Sequence, residues 1–495
     1  MMYQSTRDPA HKKYSAAEVI KMGLAPDGGL FIPETIPALT FEEIATLCND
    51  TYPVRAAKIL GKFLADYTYE ELLSDCEAAY AETSFPGGAA PLVHVHDNVY
   101  SLELWHGPTA AFKDMALQIM PRLLSRALVK TGETHDALIL VATSGDTGKA
   151  ALEGYKNIDR IKIMVFYPVD GVSRVQKLQM ATQTGDNVNV CAIRGNFDDA
   201  QTGVKKIFGD VSMAEALEKK GYVLSSANSI NWGRLAPQIV YYVSAYCDLL
   251  TKGVIQMGET MDVCVPTGNF GNIFAGYIAK LMGLPVRHFV CASNQNNILT
   301  DFLRTGTYDR NRSFHLTMSP SMDILISSNL ERLLCLSAGE ERTAAYMDSL
   351  KNSGAYTVNA DVLDKITANF SGFFADEQET AKTIKTYFED YHYLADTHTA
   401  VALSAAEQYI AALNPDDVRP MVVDSTASPY KFAADVYESL GKIQPEDPLA
   451  ALDELAATTN TEIPYPLRGL GARTVRFTEV IDAEDMPAAV LKYCN

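Results

Sequence analysis

Three stretches of the chain share one pattern, in which a short apolar run is followed by a small polar loop and a helix-like segment. Residues 137–142 ("ALILVA") lead into "TSGDTG" and "KAALEGYKN", and residues 261–265 lead into "PTGNFGN" and "IFAGYIAKLMG". Residues 421–423 lead into "DSTASPYKF" and "AADVYESLG". Each stretch predicts a buried strand, a turn and a helix, as in the parallel sheets of α/β proteins. Ligands of such sheets bind at the loops that follow the strands.

The length of the chain and a Gly- and Pro-rich segment indicate several domains. A chain of 495 residues is expected to form about two or three domains. The segment "FPGGAAPL" at 85–92 is rich in Gly and Pro and predicts the end of a leading unit of about 90 residues.

Composition excludes several classes of function. The net charge is −19, without a basic stripe, so we expect no nucleic-acid partner. No apolar run has the length of a membrane span, and the polar start lacks the apolar core of a signal peptide, so we expect a cytoplasmic protein. The eight cysteines form no CxxC pair, which favours reduced thiols over a disulfide framework. An anionic ligand would need local cations or oriented amides against this acidic background.

The loop "PTGNFGN" (266–272) is the first candidate for anion binding. Its glycines allow backbone amides to converge at the start of a helix, which suits a phosphate. An ordinary strand-to-helix turn explains the same residues equally well. The loop contains neither a GxGxxG nor a Walker A pattern.

Two further loops are rich in polar residues. "TSGDTGKA" (143–150) fails the GxxxxGK[ST] spacing but places hydroxyls and amides at a helix start, where Thr143, Ser144 or Asp146 could equally be an N-cap. "SSANSINWGRL" (225–235) combines Arg234 with Ser and Asn side chains, which suits phosphate recognition, although a surface loop is the simpler explanation.

Lys113 lies in "HGPTAAFKD" (106–114), where a single amine follows a bend and precedes a helix-like segment. Burial would lower the pKa of such an amine and make it a nucleophile near neutral pH. His94 and His96 share one face of a possible strand but lack further ligands with metal spacing, so an exposed sheet edge explains them and no metal site is expected.

Taken together, the polar loops resemble threonine synthases. The blocks occur in that family's order and cover nearly the whole chain. They are "STRDPAHKKYSAAEVIKMGLAPDGGLFIPETIP", "ELWHGPTAAFKDMALQ", "ATSGDTGKAA", "NSINW", "VPTGNFGNIFAGYIAK", "SPSMDILISSNLERLL", "DTHTAVA" and "STASPYKF". The long leading block and the "SPSMDI" segment resemble the fungal and enterobacterial branch.

The resemblance implies the α/β fold of the tryptophan synthase β-subunit (fold type II), with two α/β lobes and an N-terminal domain. We expect the N-terminal domain at 1–90, the large lobe at 91–135 and 225–460, the small lobe at 136–224 and a C-terminal segment at 461–495. The resemblance also implies pyridoxal phosphate as cofactor and O-phospho-L-homoserine as substrate. We expect the protein to be a monomer or weak homodimer.

Residue roles are carried over by matching positions. Lys113 matches the lysine that bonds covalently to the cofactor and then moves protons. The cofactor contacts implied by the resemblance are Asp146, Gly268, Asn269, Phe270, Gly271, Asn272 and Thr426. The substrate contacts implied are Thr143, Ser144, Thr147, Asn228, Ser229, Asn231 and Arg234, and Asn272 is also expected to reach the substrate phosphate.

The implied reaction converts O-phospho-L-homoserine and water to L-threonine and phosphate. The nearest alternative is a lyase of the same fold that releases a 2-oxo acid and ammonia, and a non-catalytic binding protein is a more distant one. Two positions depart from the family pattern, namely Thr397 in place of a proline and Ser428 in place of a histidine.

Overall fold

The computed structural model describes residues 1–143, 145–170 and 172–495. Its leading part packs helices around an antiparallel ribbon, in which Tyr3 pairs with Pro33. The elements are β1 (Tyr3–Ser5), α1 (Ala16–Met22), β2 (Phe31–Pro33), α2 (Phe41–Leu47), α3 (Tyr52–Phe63) and α4 (Tyr69–Ala79). Helices α1, α2 and α4 each begin with a capping box, in which a Ser or Thr side chain and a Glu three residues later satisfy the free backbone amides.

A hairpin and two helices follow the leading part. They are β3 (Leu92–His96), β4 (Val99–Glu103), α5 (Asp114–Leu117) and α6 (Met120–Lys130). Strand β3 pairs only with β4, antiparallel, and lies at the edge of its sheet with His94 exposed. The expected exposed sheet edge is therefore confirmed at His94, whereas the His96 side chain is only 11% exposed and stacks on Tyr391.

The next segment forms a parallel sheet flanked by helices. Its elements are β5 (Asp136–Ala142), α7 (Asp146–Tyr155), β6 (Ile161–Pro168), α8 (Arg174–Ala181), β7 (Val188–Arg194), α9 (Phe197–Gly209), α10 (Val211–Glu218) and β8 (Tyr222–Ser225). The strands are almost continuously apolar because helices cover the sheet. Helix α7 begins at Asp146, three residues before the predicted start, because part of the polar loop already adopts helical geometry.

A second sheet, parallel except for the edge strand β3, has the strand order β13-β10-β9-β14-β4-β3 and is built mainly from the following residues. The elements are α11 (Trp232–Thr251), β9 (Met261–Pro266), α12 (Gly271–Met282), β10 (Val286–Ser293), α13 (Ile298–Thr305), β11 (Thr307–Asp309), α14 (Leu330–Ala338), α15 (Glu340–Ser353), β12 (Ala355–Thr357), α16 (Ala360–Thr367), β13 (Phe370–Phe374), α17 (Glu377–Tyr391), α18 (Thr397–Ala411), β14 (Met421–Ser425) and α19 (Ala433–Ser439). Short 3₁₀ turns lie at Pro320–Met322, Pro415–Asp417 and Pro429–Phe432.

The three strands predicted from the repeated pattern are thus confirmed as β5, β9 and β14. Strands β9 and β14 are parallel neighbours, and β14 also pairs with β4 in parallel. The carboxyl ends of these strands, with their loops, therefore meet along one edge of the sheet.

The last part of the chain returns to the first parallel sheet. Its elements are α20 (Ala450–Thr459), β15 (Val480–Asp482) and α21 (Met486–Tyr493), with 3₁₀ turns at Leu470–Ala472 and Ala483–Asp485. Strand β15 pairs in parallel with β7, so the expected small lobe receives a strand from the expected C-terminal segment. The domain limits themselves remain a prediction.

Burial is highest in helix α11, in which nearly every residue is inaccessible to solvent. Within the described ranges, no helix combines the length and apolarity needed to cross a membrane. All eight cysteines, which lie in the described part of the chain, are free thiols, and all except Cys48 are buried.

Glu331, in α14, anchors the leading part of the chain. Its carboxylate accepts hydrogen bonds from Arg7 Nε (2.8 Å) and Arg7 Nη2 (2.6 Å), and from the Thr6 hydroxyl (2.5 Å). The carboxylate side chain is only 5% exposed. A two-pronged, buried ion pair of this kind is stronger than an exposed one.

We expect Glu331→Gln to lower the free energy of unfolding by about 1–3 kcal/mol, because the amide cannot accept both Arg7 bonds and leaves the guanidinium incompletely paired. The measurement is the thermal melting temperature. Glu379→Gln is the control, since Glu379 makes a solvent-exposed pair with Lys382 and should change stability by less than about 0.5 kcal/mol. Equal effects of the two changes would contradict the anchoring role of Glu331.

Candidate active site

Lys113 lies where the chain turns into α5, beside the end of β14. The amide of Phe112 donates to the carbonyl of Thr426 at 2.8 Å, and Ala111 forms a β-bridge with Ala427. Thr426 is 6% exposed. These contacts place Lys113 against the loop that contains Thr426, although the two are far apart in sequence.

The amine of Lys113 is partly buried and has a single hydrogen-bond partner among the described residues, the Ser321 hydroxyl at 3.4 Å. Burial lowers the pKa of Lys113 to about 8; Asp146 opposes this shift, while Lys431 and Arg234 add to it. About a tenth of the amine is therefore unprotonated at pH 7, far more than for an ordinary lysine, and this form can act as a nucleophile or general base.

Ser321 connects Lys113 with the polar loop 266–272. A Cβ on Gly268 would lie 2.7 Å from the Ser321 carbonyl oxygen, so only glycine fits at this close approach. The backbone amide of Ser321 donates to His398 Nε2 at 3.1 Å, and His398 Nδ1 lies 2.8 Å from an oxygen of Asp396. His398 therefore carries its proton on Nδ1 and accepts through Nε2.

His398 lies in the first turn of α18, in which Asp396 is the N-cap and Thr397 is a buried first residue. Through His398, this first turn contacts the segment that supports Lys113.

Residues 268–272, where β9 leads into α12, form a candidate anion site, which we call the cradle. Phe270 adopts a left-handed conformation with φ of 60° immediately before α12 starts at Gly271. The amides of Gly268, Asn269 and Phe270 donate to no other residue in the described part of the chain. Free amides at the N-terminus of a helix favour a bound phosphate.

Asn272, in the first turn of α12, is 8% exposed and presents a free amide group. Its Oδ1 accepts from the Tyr242 hydroxyl at 2.6 Å and also contacts the Tyr241 hydroxyl, whereas its Nδ2 has no partner among the described residues. The Tyr242 hydroxyl lies 2.8 Å from the carboxylate of Asp424. Burial raises the pKa of Asp424 to about 7. The tyrosines thus fix the Asn272 side chain so that its donor is available.

The loop after β5 brings Asp146 to the same region. Asp146 Oδ1 accepts from Gln176 Nε2 at 2.8 Å and from Lys431 Nζ at 2.7 Å. Burial raises the pKa of Asp146, but Lys431 and Lys113 outweigh this effect and hold it below its usual range. Gly145 has φ of 152°, and a Cβ there would lie 2.5 Å from the Gln176 side chain.

The other predicted substrate-binding residues of this loop differ in their contacts and exposure. The Thr143 hydroxyl accepts from the amides of Gly145 (3.0 Å) and Gly148 (2.9 Å), so it shapes the turn as an internal cap. Thr147 is partly exposed in α7. Ser144, predicted to contact the substrate, lies outside the described residues.

Arg234, in the first turn of α11, is a buried cation without a carboxylate partner. It is 4% exposed and donates through Nη1 to the Ala227 carbonyl at 2.9 Å. Its Nε has no partner, and it forms no salt bridge among the described residues. Burial lowers the pKa of Arg234 to about 10. An uncompensated buried guanidinium is costly unless an anion binds to it.

The other predicted residues of the Arg234 loop differ in accessibility. Asn228 is exposed and Ser229 is partly exposed. Asn231 is buried, and both ends of its side chain are engaged, because Oδ1 caps α11 through the Gly233 amide (2.8 Å) and Nδ2 donates to the Ile20 carbonyl (2.9 Å). In this structure Asn231 positions the helix that carries Arg234.

Asn329 and Arg332 hold the two polar loops side by side. Asn329 Nδ2 lies 3.0 Å from the Asn269 carbonyl and 3.5 Å from the Ser229 carbonyl. Arg332 donates to the carbonyls of Phe31 (2.8 Å) and Ile230 (2.6 Å) and contacts Asn329 Oδ1. The structure therefore places the loop at 228–231 next to the loop at 268–272.

Comparison with known proteins defines the family. A model for the threonine synthase N terminus matches residues 2–80, a pyridoxal-phosphate dependent enzyme model matches 84–423, and a threonine synthase C-terminal model matches 399–490. Threonine synthase of Pseudomonas aeruginosa is 40% identical over 441 residues, which cover 87% of this chain and 89% of that protein.

The chain belongs to the threonine synthase family. A crystal structure of pyridoxal-phosphate-bound threonine synthase from Brucella melitensis superposes with a TM-score of 0.87, at 36% identity and with 100% of both chains covered. Human threonine synthase-like 1 is 40% identical over 436 residues, or 86% of this chain, but this chain spans only 58% of its length. These matches confirm the fold type expected from the sequence.

The site fits pyridoxal phosphate, the cofactor of this family. The free amides at 268–270 and the unpartnered Asn272 Nδ2 can bind its phosphate, and Lys113 supplies the amine. Ser428, which departs from the family pattern, is buried and caps the turn after Thr426 through the Tyr430 amide at 3.3 Å, so the turn keeps a stabilising polar side chain.

The Gly268–Ser321 contact predicts that Gly268→Ala weakens cofactor binding. The new methyl group would lie 2.7 Å from a backbone oxygen, so the cradle must shift by a distance that a phosphate site does not tolerate. We expect the Kd for pyridoxal phosphate, from absorbance titration of the apoprotein, to rise by about tenfold or more, equivalent to about 1.4 kcal/mol. Gly209→Ala is the control, because a Cβ at Gly209 meets nothing within 4 Å. An unchanged Kd for Gly268→Ala would place the cofactor phosphate elsewhere.

Proposed function

We propose that this protein is a threonine synthase, which converts O-phospho-L-homoserine and water to L-threonine and phosphate. The observation that carries the proposal is the buried, unpaired guanidinium of Arg234 next to a second anion site, the cradle at 268–272. Such a reaction needs two places for phosphate, one for the cofactor and one for the group that leaves. The site offers both, in a chain whose net charge of −19 would otherwise repel them.

The substrate phosphate is assigned to Arg234 and its neighbours. Arg234 and Asn272 belong to one buried network, since Gln238 Nε2 donates to the Arg234 carbonyl (2.9 Å) and Gln238 Oε1 lies 3.1 Å from the Tyr241 hydroxyl, which contacts Asn272. Ser229 and Asn228 lie on the accessible side of the same loop. A phosphate bound there is held by charge-assisted bonds while its C–O bond breaks.

Proton transfer is assigned to Lys113. When bound, pyridoxal phosphate supplies an electron sink for the substrate α-carbon. Lys113, once its amine is free, removes the α-proton and passes protons within the site. The β-carbon also loses a proton as the C–O bond to phosphate breaks, and the γ-carbon then gains a proton to become a methyl group. The water oxygen bonds to the β-carbon, the water gives up one proton, and the α-carbon is reprotonated. Thr426 and Asp146 are assigned to the cofactor ring and Thr147 to the substrate, while Thr143 shapes the turn of this loop. The substrate contact of Ser144 stays a prediction.

We further propose a cytoplasmic enzyme that works as a monomer or weak homodimer on this small-molecule substrate. Support comes from the free thiols of its eight cysteines, which suit a reducing compartment.

The first test supplies the purified protein with pyridoxal phosphate and O-phospho-L-homoserine and measures phosphate, threonine and 2-oxobutyrate together. We expect equal amounts of phosphate and threonine. Lys113→Ala should lose both products and the visible absorbance of covalently bound cofactor, because no other amine replaces Lys113. Phosphate formed with 2-oxobutyrate would instead indicate the alternative enzyme of this fold, which releases a 2-oxo acid and ammonia. Full activity of Lys113→Ala would overturn the assignment of Lys113.

Arg234→Ala should raise KM for O-phospho-L-homoserine by about 30-fold or more, corresponding to the loss of about 2 kcal/mol or more of charge-assisted binding. Its Kd for pyridoxal phosphate should change by less than about threefold. Arg234→Lys should be intermediate, because it keeps the charge but loses the forked geometry. The exposed Arg194, paired with Asp482, provides the control Arg194→Ala. A larger effect on cofactor binding than on KM would assign Arg234 to the cofactor phosphate.

A further inference from the structure

Lys431 is a fully buried cation next to the proposed active site. It lies in the 3₁₀ turn Pro429–Phe432, with its side chain 0% exposed. Its Nζ is 2.7 Å from Asp146 Oδ1 and 3.0 Å from the Thr109 carbonyl. Burying an ammonium group is costly unless its partners are well placed, so a specific requirement for the charge is expected.

The pair formed by Lys431 and Asp146 joins the two sheets. Asp146 begins α7, which follows β5 of the first parallel sheet, whereas Lys431 follows β14 of the second. Gln176 and Lys431 both donate to Oδ1 of Asp146, and no residue in the described part of the chain donates to Oδ2. The carboxylate is therefore held in one orientation, with Oδ2 left available.

The charged groups that face Lys113 are Asp146, Asp114, Lys431 and Arg234. Asp114 is held by the Thr109 amide (2.8 Å) and hydroxyl (2.7 Å), and burial raises its pKa to about 7. Asp146 is thus the principal anion that could keep Lys113 protonated. Lys431 is bonded directly to that anion.

We propose that Lys431 is a positioning residue, which orients and neutralises Asp146 and thereby preserves the nucleophilicity of the Lys113 amine. The inference rests on the proposed role of Lys113 as the reactive amine. Lys431 touches neither this amine nor the cradle at 268–272, so it acts through Asp146.

The direction of the effect follows from the charges. Without Lys431, Asp146 would stabilise the ammonium form of Lys113, and the repulsion between the two lysines would also disappear. Both changes raise the pKa of Lys113 above its value of about 8. The unprotonated fraction at neutral pH would fall accordingly.

The test measures the reactivity of Lys113 in the apoprotein, without substrate. Competitive acetylation with a limiting amount of acetic anhydride, followed by mass spectrometry of the Lys113 peptide, gives the pH at which the amine becomes reactive. We expect Lys431→Met to shift this midpoint upward by about one pH unit or more. Lys431→Arg, which keeps the charge, should retain a midpoint near that of the unmodified protein.

Lys149→Met is the matched control. Lys149 is also a buried lysine, 6% exposed, but it pairs with Glu153 at 3.1 Å and contacts Gln183 rather than Asp146. Its removal should leave the Lys113 midpoint unchanged. An unshifted midpoint in Lys431→Met, or an equal shift in Lys149→Met, would overturn the proposal.

Two further variants keep the test decisive if Lys431→Met does not fold. Asp146→Asn removes the anion and should lower the Lys113 midpoint below that of the unmodified protein. The double variant Lys431→Met/Asp146→Asn leaves no unpaired buried charge, and because Lys431 acts through Asp146, its midpoint should stay near that of Asp146→Asn. If the shifts of the two single variants instead add up in the double variant, Lys431 does not act through Asp146, and the proposal is contradicted.

The holoenzyme supplies a second readout. In Lys431→Met, the acid limb of the pH profile of kcat, which reports the enzyme–substrate complex in which the Lys113 amine is free, should move to higher pH, and kcat at pH 7 should fall by about tenfold with little change in KM. A labelling shift as expected in a protein that makes no threonine would refute the proposed function while leaving the role of Lys431 intact.

Discussion

The buried guanidinium of Arg332 constrains the geometry of the whole site. Its donors reach a carbonyl of the leading part of the chain at Phe31, a carbonyl of the Arg234 loop at Ile230, and the side chain of Asn329. Asn329 in turn holds the Asn269 carbonyl. Because a planar guanidinium donates in fixed directions, these three segments cannot move independently. The distance between the two polar loops is therefore set by a residue that belongs to neither loop.

The second constraint is electrostatic. The chain is strongly acidic, yet the loops that meet at Lys113 contain an arginine that pairs with no described carboxylate, together with backbone amides and an amide donor that have no partner among the described residues. Burial removes these groups from water, so each gains more from a bound anion than it would at the surface. Local donors can thus bind phosphate groups despite a net charge that disfavours them.

The site also depends on two sheets. Lys113, the cradle and Thr426 belong to the sheet that contains β9 and β14, whereas Asp146 belongs to the sheet that contains β5. The ion pair between Lys431 and Asp146 crosses between them, and β15 connects the end of the chain to the sheet of Asp146. Any movement of one sheet relative to the other would change the charge near Lys113. This coupling relates the architecture directly to the chemistry of the amine.

The sequence by itself determined the local elements and the polar loops. Apolar runs of strand length followed by Gly-rich turns predicted β5, β9 and β14, because periodicity and turn chemistry are local properties. The sequence blocks shared with threonine synthases identified Lys113 and the cradle as candidate cofactor contacts. Tertiary structure decided which donors remained free. The side chains of Asn231 and Thr143 make hydrogen bonds inside the protein, whereas Arg234 Nε and Asn272 Nδ2 have no partner among the described residues. It also decided the partners of the key residues, because Ser321 lies 208 positions from Lys113. No local pattern encodes such a pairing, which arises only when long-range packing buries both groups together.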